Sequence, residues 1–185
     1  SLAYNARPLT DDEYRKAQLR GFPLKQVPIA IDAIAVFSNF WTPTSKLNYE
    51  QVEKIFSGKI NNWNQVDPRY KSLPIVPIAV KNENYGNLDL KESSKTIKLP
   101  TYTDVMQKVI STPGAISLAS SSLVSNQRLL KVYSLAYDDT ANYINLFNNN
   151  QLNISAIKAG SYPLTRRLFI VYREDGSNDQ ITGEA

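Results

Sequence analysis

Cysteine and histidine are both absent from the 185 residues of this chain. The chain therefore has no cysteine nucleophile, no disulfide and no histidine general base, and it cannot build a zinc site on Cys or His ligands. No apolar run approaches the roughly 20 residues that a membrane-spanning helix needs. With 42% hydrophobic and 21% charged residues, the composition is that of a soluble globular domain able to bury a proper core.

The charge is weakly positive, with a net value of +4 and a pI near 9.2. Basic residues are scattered along the chain, and even the adjacent arginines Arg166-Arg167 belong to no longer basic stripe. This distribution predicts no nucleic-acid partner. A weak positive field favours the approach of a small anion.

The clearest local pattern is the stretch 47–63, LNYEQVEKIFSGKINNW. Asn48 can cap a helix, and Gln51 stands three residues later to complete a capping box. Gly58 supplies the left-handed residue at which a helix commonly ends. The apolar residues share one helical face: Val52, Ile55 and Phe56.

Other segments are predicted from caps and apolar runs. Thr10 and Glu13 form a second capping box, on a helix that ends at Gly21. Residues 27–38 are apolar and rich in β-branched side chains, which predicts a buried strand. Further strands are predicted at 73–80, 115–118, 129–135 and 168–172, with a helix from Thr101 or Thr103. A loop or a frayed short element is predicted at 88–99, and a mobile end from residue 173 to 185. The serine-rich segment 119–126 is interpreted as a solvated turn, with anion binding through its hydroxyls as the alternative.

The order of letters in 47–63 resembles the "L-T-x-E-Q-L-x-x-I-F-x-G-K-I-x-N-W" segment of the phosphate ABC-transporter substrate-binding proteins. Three further blocks match that family in order: ARPLTDDE from residue 6, VPIAIDAIAVFSN from residue 27, and TPGAIS followed by YPLTRRLFIVY. Four blocks in sequence make the resemblance specific. It implies an α/β, two-lobed fold of the periplasmic-binding-protein type 2 class, whose cleft closes on a ligand by hinge motion.

The resemblance also implies a domain organisation. Residues 1–39 and 162–185 are expected to form part of the first lobe with the hinge strands, and residues 40–161 the second α/β lobe. Family members have a strand, a loop and a helix before the ARPL-like block and further helices after the YPL strand. We therefore expect a fragment with one lobe nearly complete, and exposed apolar surface around the strand 29–36.

The family's ligand positions are only partly kept. Asp32 matches an Asp that accepts a hydrogen bond from the proton of bound phosphate; a structural Asp that caps a nearby loop is the alternative. Lys81 stands where the family has an Arg, and Tyr85-Gly86-Asn87 where it has Ser-Gly-Thr. Lys offers a point charge rather than a fork, and Tyr would crowd the pocket. Ala6 replaces a donating Ser, with Arg7 beside it.

We interpret the chain as an extracytoplasmic solute-binding module related to these proteins, with an altered or weakened anion site. Its candidate ligand residues are Asp32, Lys81, Gly86, Asn87 and Arg7. The alternative is a binding-incompetent relative that acts as a protein-interaction or sensing domain of a larger envelope protein.

No motif points to an enzyme, a metal or a cofactor. The expected partners are a small anion, phosphate or similar, and the membrane subunits of an ABC transporter. The expected location is periplasmic or extracellular.

Overall fold

The computed structural model describes residues 3–5, 7–83, 85 and 92–174 of the chain. Its strands are β1 (Ala3–Asn5), β2 (Leu24–Asn39), β3 (Lys46–Asn48), β4 (Val76–Val80), β5 (Ile97–Leu99), β6 (Ala115–Ser120), β7 (Leu130–Val132), β8 (Ser134–Ala136), β9 (Phe147–Asn148), β10 (Gln151–Leu152) and β11 (Thr165–Arg173). Its helices are α1 (Asp11–Leu19), α2 (Tyr49–Phe56), α3 (Tyr102–Ser111), α4 (Ser121–Val124) and α5 (Ile154–Lys158), with a 3₁₀ turn at Trp63–Gln65. None of these helices is long and apolar enough to cross a membrane.

The elements fall into two compact units. The first unit comprises Ser1–Asp32 with Arg166–Ala185, and the second comprises Ala33–Thr165. Strand β2 begins in the first unit and ends in the second. The expectation that 1–39 with 162–185 and 40–161 are the lobes of a solute-binding protein stays a prediction.

In the first unit, α1 begins where its capping box predicts. The Thr10 side chain accepts from the Glu13 backbone N–H, and the Glu13 carboxylate accepts from the Thr10 backbone N–H. The helix ends before Gly21, which has a φ of 75°. In the sheet, β11 lies between β1 and β2, and it runs antiparallel to β1.

Burial changes along β2. Ile29 and Ile31 are 46% and 54% exposed, whereas every residue from Ala33 to Asn39 is buried. A buried strand was expected at 27–38, and only its second half is buried. An exposed apolar surface was expected at 29–36, and only the first half of that range is exposed. The reason lies in the second unit, where β6 and β7 pair with the buried half and the core closes over it.

The second unit has its core around β2, β4 and β6. Strand β4 runs parallel to both β5 and β6, while β6 runs antiparallel to β2. The box formed by Asn48 and Gln51 caps α2, and the predicted apolar face of that helix is buried in the core. The ring of Trp63 is fully buried and stacks on Tyr133, with 6.0 Å between the ring centroids and 8° between the planes.

Two predicted segments differ from the structure, and a third agrees with it. The segment 88–99, predicted as a loop or a frayed short element, ends in the three-residue strand β5, which pairs in parallel with β4. The serine-rich segment contains the short helix α4, in which Ser121 is buried. The strand predicted at 129–135 is two strands, because the chain leaves β2 after β7, buries Tyr133 and pairs with β3 through β8.

Most of the predicted mobile end, residues 175–185, lies outside the described residues. Strands β9 and β10 form a hairpin in the asparagine-rich segment, and the sequence analysis did not predict it. Asn149 and Asn150 form its turn with φ values of 50° and 62°, a conformation that asparagine tolerates better than most residues.

Candidate functional site

Asp32 lies on β2 and carries an ion pair within the first unit. Its Oδ2 accepts a hydrogen bond of 3.0 Å from Nε of Arg166, at the start of β11. The two side chains are 15% and 12% exposed, so the pair is largely withdrawn from water. A carboxylate in an apolar strand needs such a partner. The free-energy cost of burying a carboxylate is the one feature of the sequence that indicates a cation near Asp32. It does not identify Arg166 as that cation.

Arg7 is also paired within the first unit. Its Nη1 and Nη2 donate to the two carboxylate oxygens of Glu13 at 2.9 and 2.7 Å, and Nη1 donates to the carbonyl of Pro8 as well. This is the forked arrangement that arginine forms with carboxylates. The hydrogen bonds from Arg7, followed by the one from the Thr10 backbone N–H, lower the pKa of Glu13 to about 2.

Lys81 is the first residue after β4, in the second unit, and its side chain is exposed. Its backbone N–H donates to the carbonyl of Leu99 at 2.9 Å, which fixes the main chain at this point. The other predicted ligand residues here, Gly86 and Asn87, lie outside the described residues, as does Ala6. Of the predicted anion loop 81–87, the structure therefore describes residues 81–83 and 85.

Tyr85, which the resemblance aligns with the first loop serine of the family, has a buried side chain. It is 5% exposed, lies within the core cluster of the second unit, and accepts a hydrogen bond of 3.4 Å from the Val80 backbone N–H. The ring therefore packs within the core of the second unit, whereas the sequence led us to expect that it would crowd the anion pocket. A buried phenol in this place cannot act as the exposed donor that a serine would supply.

These contacts define what the first-unit residues can do chemically. Asp32 and Arg7 each hold an oppositely charged neighbour, so an incoming anion would compete with a carboxylate already present on each guanidinium. Within the described ranges, no group of three or more Asp, Glu, His or Cys residues is arranged to hold a metal ion.

A family model described as the PBP superfamily domain matches residues 1–185. The phosphate-binding protein PstS of Staphylococcus aureus is 24% identical over 183 residues, which cover 94% of this chain and 54% of that protein. The chain thus spans about half the length of the curated relatives it matches.

Solved structures give the same fold. An ABC-type phosphate transport receptor from Vibrio cholerae has a TM-score of 0.70 at 18% identity, over 98% of this chain and 70% of that one. PstS from Borrelia burgdorferi has a TM-score of 0.63 at 20% identity, over 99% and 72%. The predicted α/β fold class is confirmed.

Proposed function

The chain belongs to the PBP superfamily domain family, and we propose that it is an extracytoplasmic solute-binding module with an altered anion site. It is related to the phosphate-binding proteins of ABC transporters, so phosphate or a similar small anion is the ligand to test first. On this proposal it works in the periplasm or outside the cell, and the membrane subunits of an ABC transporter are its partners. It binds rather than catalyses.

The ion pair between Asp32 and Arg166 is the observation that carries this proposal. An ionised carboxylate can only accept hydrogen bonds, so Asp32 favours an anion that bears its own proton, such as hydrogen phosphate, over sulfate. Arg166 offsets the charge of Asp32 and thereby reduces its repulsion of an anion.

Three features support a weaker site than the family pattern implies. Lys81 offers an exposed point charge in place of a guanidinium fork. The hydroxyl of Tyr85 is buried in the core, and both Nη atoms of Arg7 already donate to Glu13. Each of these donors is weakened or occupied before any ligand arrives.

Thermal unfolding with phosphate, sulfate and other small anions tests the proposal. An anion at about 100 times its dissociation constant stabilises the folded state by about 2.7 kcal/mol, which raises Tm by several degrees. We expect phosphate to raise Tm more than sulfate does. The shift should disappear in Asp32→Asn and persist in Arg167→Gln, each variant being compared with its own ligand-free Tm.

The proposal fails if no anion at millimolar concentration raises Tm. It also fails if Asp32→Asn keeps the full phosphate shift. The first result would leave the alternative, a protein-interaction or sensing domain, as the better account of the chain.

A further inference from the structure

The turn that follows β2 in the second unit exposes two neighbouring aromatic side chains. Trp41 is 84% exposed and Phe40 is 51% exposed. Their rings meet edge to face, with 5.4 Å between centroids and 90° between planes. Exposing a whole indole ring to water is costly, and large exposed apolar groups that lie together commonly mark interaction sites.

Asn39 anchors this turn from beneath. Its Nδ2 donates to the carbonyls of Val109 and Ile110 at 3.1 and 2.8 Å, which ties the turn to the end of α3. Its Oδ1 accepts from the Trp41 backbone N–H at 3.0 Å. Asn39 itself is buried, so solvent does not compete for these hydrogen bonds.

Thr42 anchors the other end of the turn. Its buried hydroxyl lies within hydrogen-bond distance of Ser38 Oγ, at 2.5 Å, and of the Tyr133 hydroxyl, at 3.1 Å. The ammonium of Lys131 donates to the Thr42 carbonyl. Because both ends are held, the two aromatic residues are presented on a fixed backbone, and a partner loses less conformational entropy when it binds them.

A groove of about 300 Å³ runs beside this turn, and its lining is mostly apolar. The residues that line it are Asn39, Phe40, Trp41, Ile110, Arg128 and Leu129. Among these, Arg128 alone is charged, and in the part of the chain that the structure describes it makes no ion pair. Leu129, which also lines the groove, is 63% exposed. The groove thus combines apolar walls with one available guanidinium.

We propose that this groove binds an acidic peptide segment of a partner protein. A large apolar side chain of the peptide packs against Trp41 and Leu129, and a neighbouring carboxylate of the peptide pairs with Arg128. Trp and Arg are the residue types that most often dominate binding energy at protein interfaces. The groove uses none of Asp32, Arg7 and Lys81, so this inference stands independently of the proposed anion site.

Two other occupants fit less well. An anionic bilayer is recognised by clusters of about four to eight basic residues. Among the lining residues that the structure describes, Arg128 is the one cation. A second copy of the chain would bring another net charge of +4 to a groove whose only charged lining residue, within the described residues, is Arg128. An acidic segment supplies the charge that is missing.

A random peptide library displayed on phage tests the proposal when it is panned on the intact chain. Clones that also bind the empty support are removed, and the affinity of the remaining clones is compared between the intact chain and a Phe40→Ser, Trp41→Ser double variant. We expect the enriched peptides to carry Asp or Glu beside Leu, Phe or Met. Their affinity for the double variant should fall about 30-fold, the effect of losing a 2 kcal/mol hot spot. Tyr70→Ser, which removes another exposed ring, should bind them unchanged.

Charge reversal at Arg128 distinguishes specific recognition of the peptide from nonspecific hydrophobic binding. Arg128→Glu keeps the apolar walls, so panning on it should enrich Lys or Arg beside the same apolar residues. All of the substituted side chains are exposed, and an unchanged circular dichroism spectrum and Tm would establish that each variant folds.

Four results would overturn the proposal. The first is that no enriched peptide depends on Phe40 and Trp41, and the second is that Arg128→Glu leaves the charge preference unaltered. The third is binding to phosphatidylserine vesicles that the double variant loses, which would assign the surface to a membrane. The fourth is self-association in sedimentation that the double variant abolishes, which would assign it to a second copy.

Discussion

Nε of Arg166 lies 3.0 Å from Oδ2 of Asp32, and this contact joins β2 to β11 across 134 residues of sequence. Both side chains are mostly withdrawn from water. Removing one partner of such a pair leaves a buried charge without compensation, and that penalty exceeds the net stabilisation from the intact pair.

Arg166→Gln is therefore expected to lower the free energy of unfolding by about 3 kcal/mol, measured by urea unfolding. Arg167→Gln, at the exposed neighbouring position, is the matched control and should change it by less than about 0.5 kcal/mol. Equal effects of the two substitutions would mean that the ion pair contributes nothing specific.

The lowered pKa of Glu13 predicts a pH dependence. The Arg7 guanidinium holds the pKa at about 2 in the folded chain, against an ordinary value of 4.5. The stabilisation is therefore fully present above pH 4.5 and is lost as the pH falls towards 2. The difference in Tm between the wild type and Glu13→Gln should be constant near neutral pH and shrink through this window.

Glu53→Gln is the control for this titration, because Glu53 is also a helical carboxylate and makes no ion pair within the described residues. Its substitution removes a helical carboxylate without removing an ion pair, and so measures what loss of a carboxylate alone does to Tm over the same pH range. A Glu13→Gln difference that stayed constant down to pH 2 would contradict the role given to Arg7.

A comparison of Gly114 with Gly160 distinguishes the cost of backbone strain from that of a steric clash with an added Cβ. Both have positive φ, 78° and 72°. A Cβ at Gly114 would lie 2.2 Å from the Pro74 carbonyl oxygen, whereas a Cβ at Gly160 meets nothing within 4 Å. Gly160→Ala should cost about 1 kcal/mol of stability from the left-handed conformation alone. Gly114→Ala should cost about 1–3 kcal/mol more, by urea unfolding; similar costs at the two sites would rule out the collision.

Two fully buried serines should respond to alanine in opposite directions. Ser117 Oγ has no hydrogen-bond partner within the described residues, whereas Ser38 Oγ is hydrogen-bonded to Thr42 and Asn39. Ser117→Ala removes an unsatisfied buried hydroxyl and should raise stability by about 1 kcal/mol, or Tm by about 2–4 °C. Ser38→Ala breaks satisfied hydrogen bonds and should lower stability by about 1 kcal/mol. Thermal unfolding followed by circular dichroism decides between these signs, and a destabilised Ser117→Ala would refute the assignment.

Features governed by near neighbours in sequence were predictable. The caps at Thr10 and Asn48 lie where the side chains predicted them, because a cap depends on residues only three positions away. Of the two starts predicted for the third helix, Thr101 and Thr103, the structure has the cap at Thr101. The fold class followed from four matched blocks. Strand β5 could not be predicted as a strand, because its three residues in a polar run become one only through pairing with β4.

The candidate site was less predictable, because its contacts join residues that are far apart in sequence. Asp32 could be singled out as a carboxylate in an apolar strand, but its partner Arg166 is 134 residues away, and no local pattern connects them. The burial of Tyr85 depends on the space behind β4, which the sequence does not reveal. The assignment of Asp32, Lys81, Gly86, Asn87 and Arg7 to an anion site stays a prediction.

The stacking of Trp63 on Tyr133 has a spectroscopic consequence. The chain has two tryptophans, one enclosed in the core and the other, Trp41, almost wholly in water. Trp63 should emit at shorter wavelength and resist quenching by acrylamide, whereas Trp41 should emit at longer wavelength and be quenched readily. The unmodified protein therefore carries two separable fluorescent reporters, one of its core and one of its aromatic surface turn.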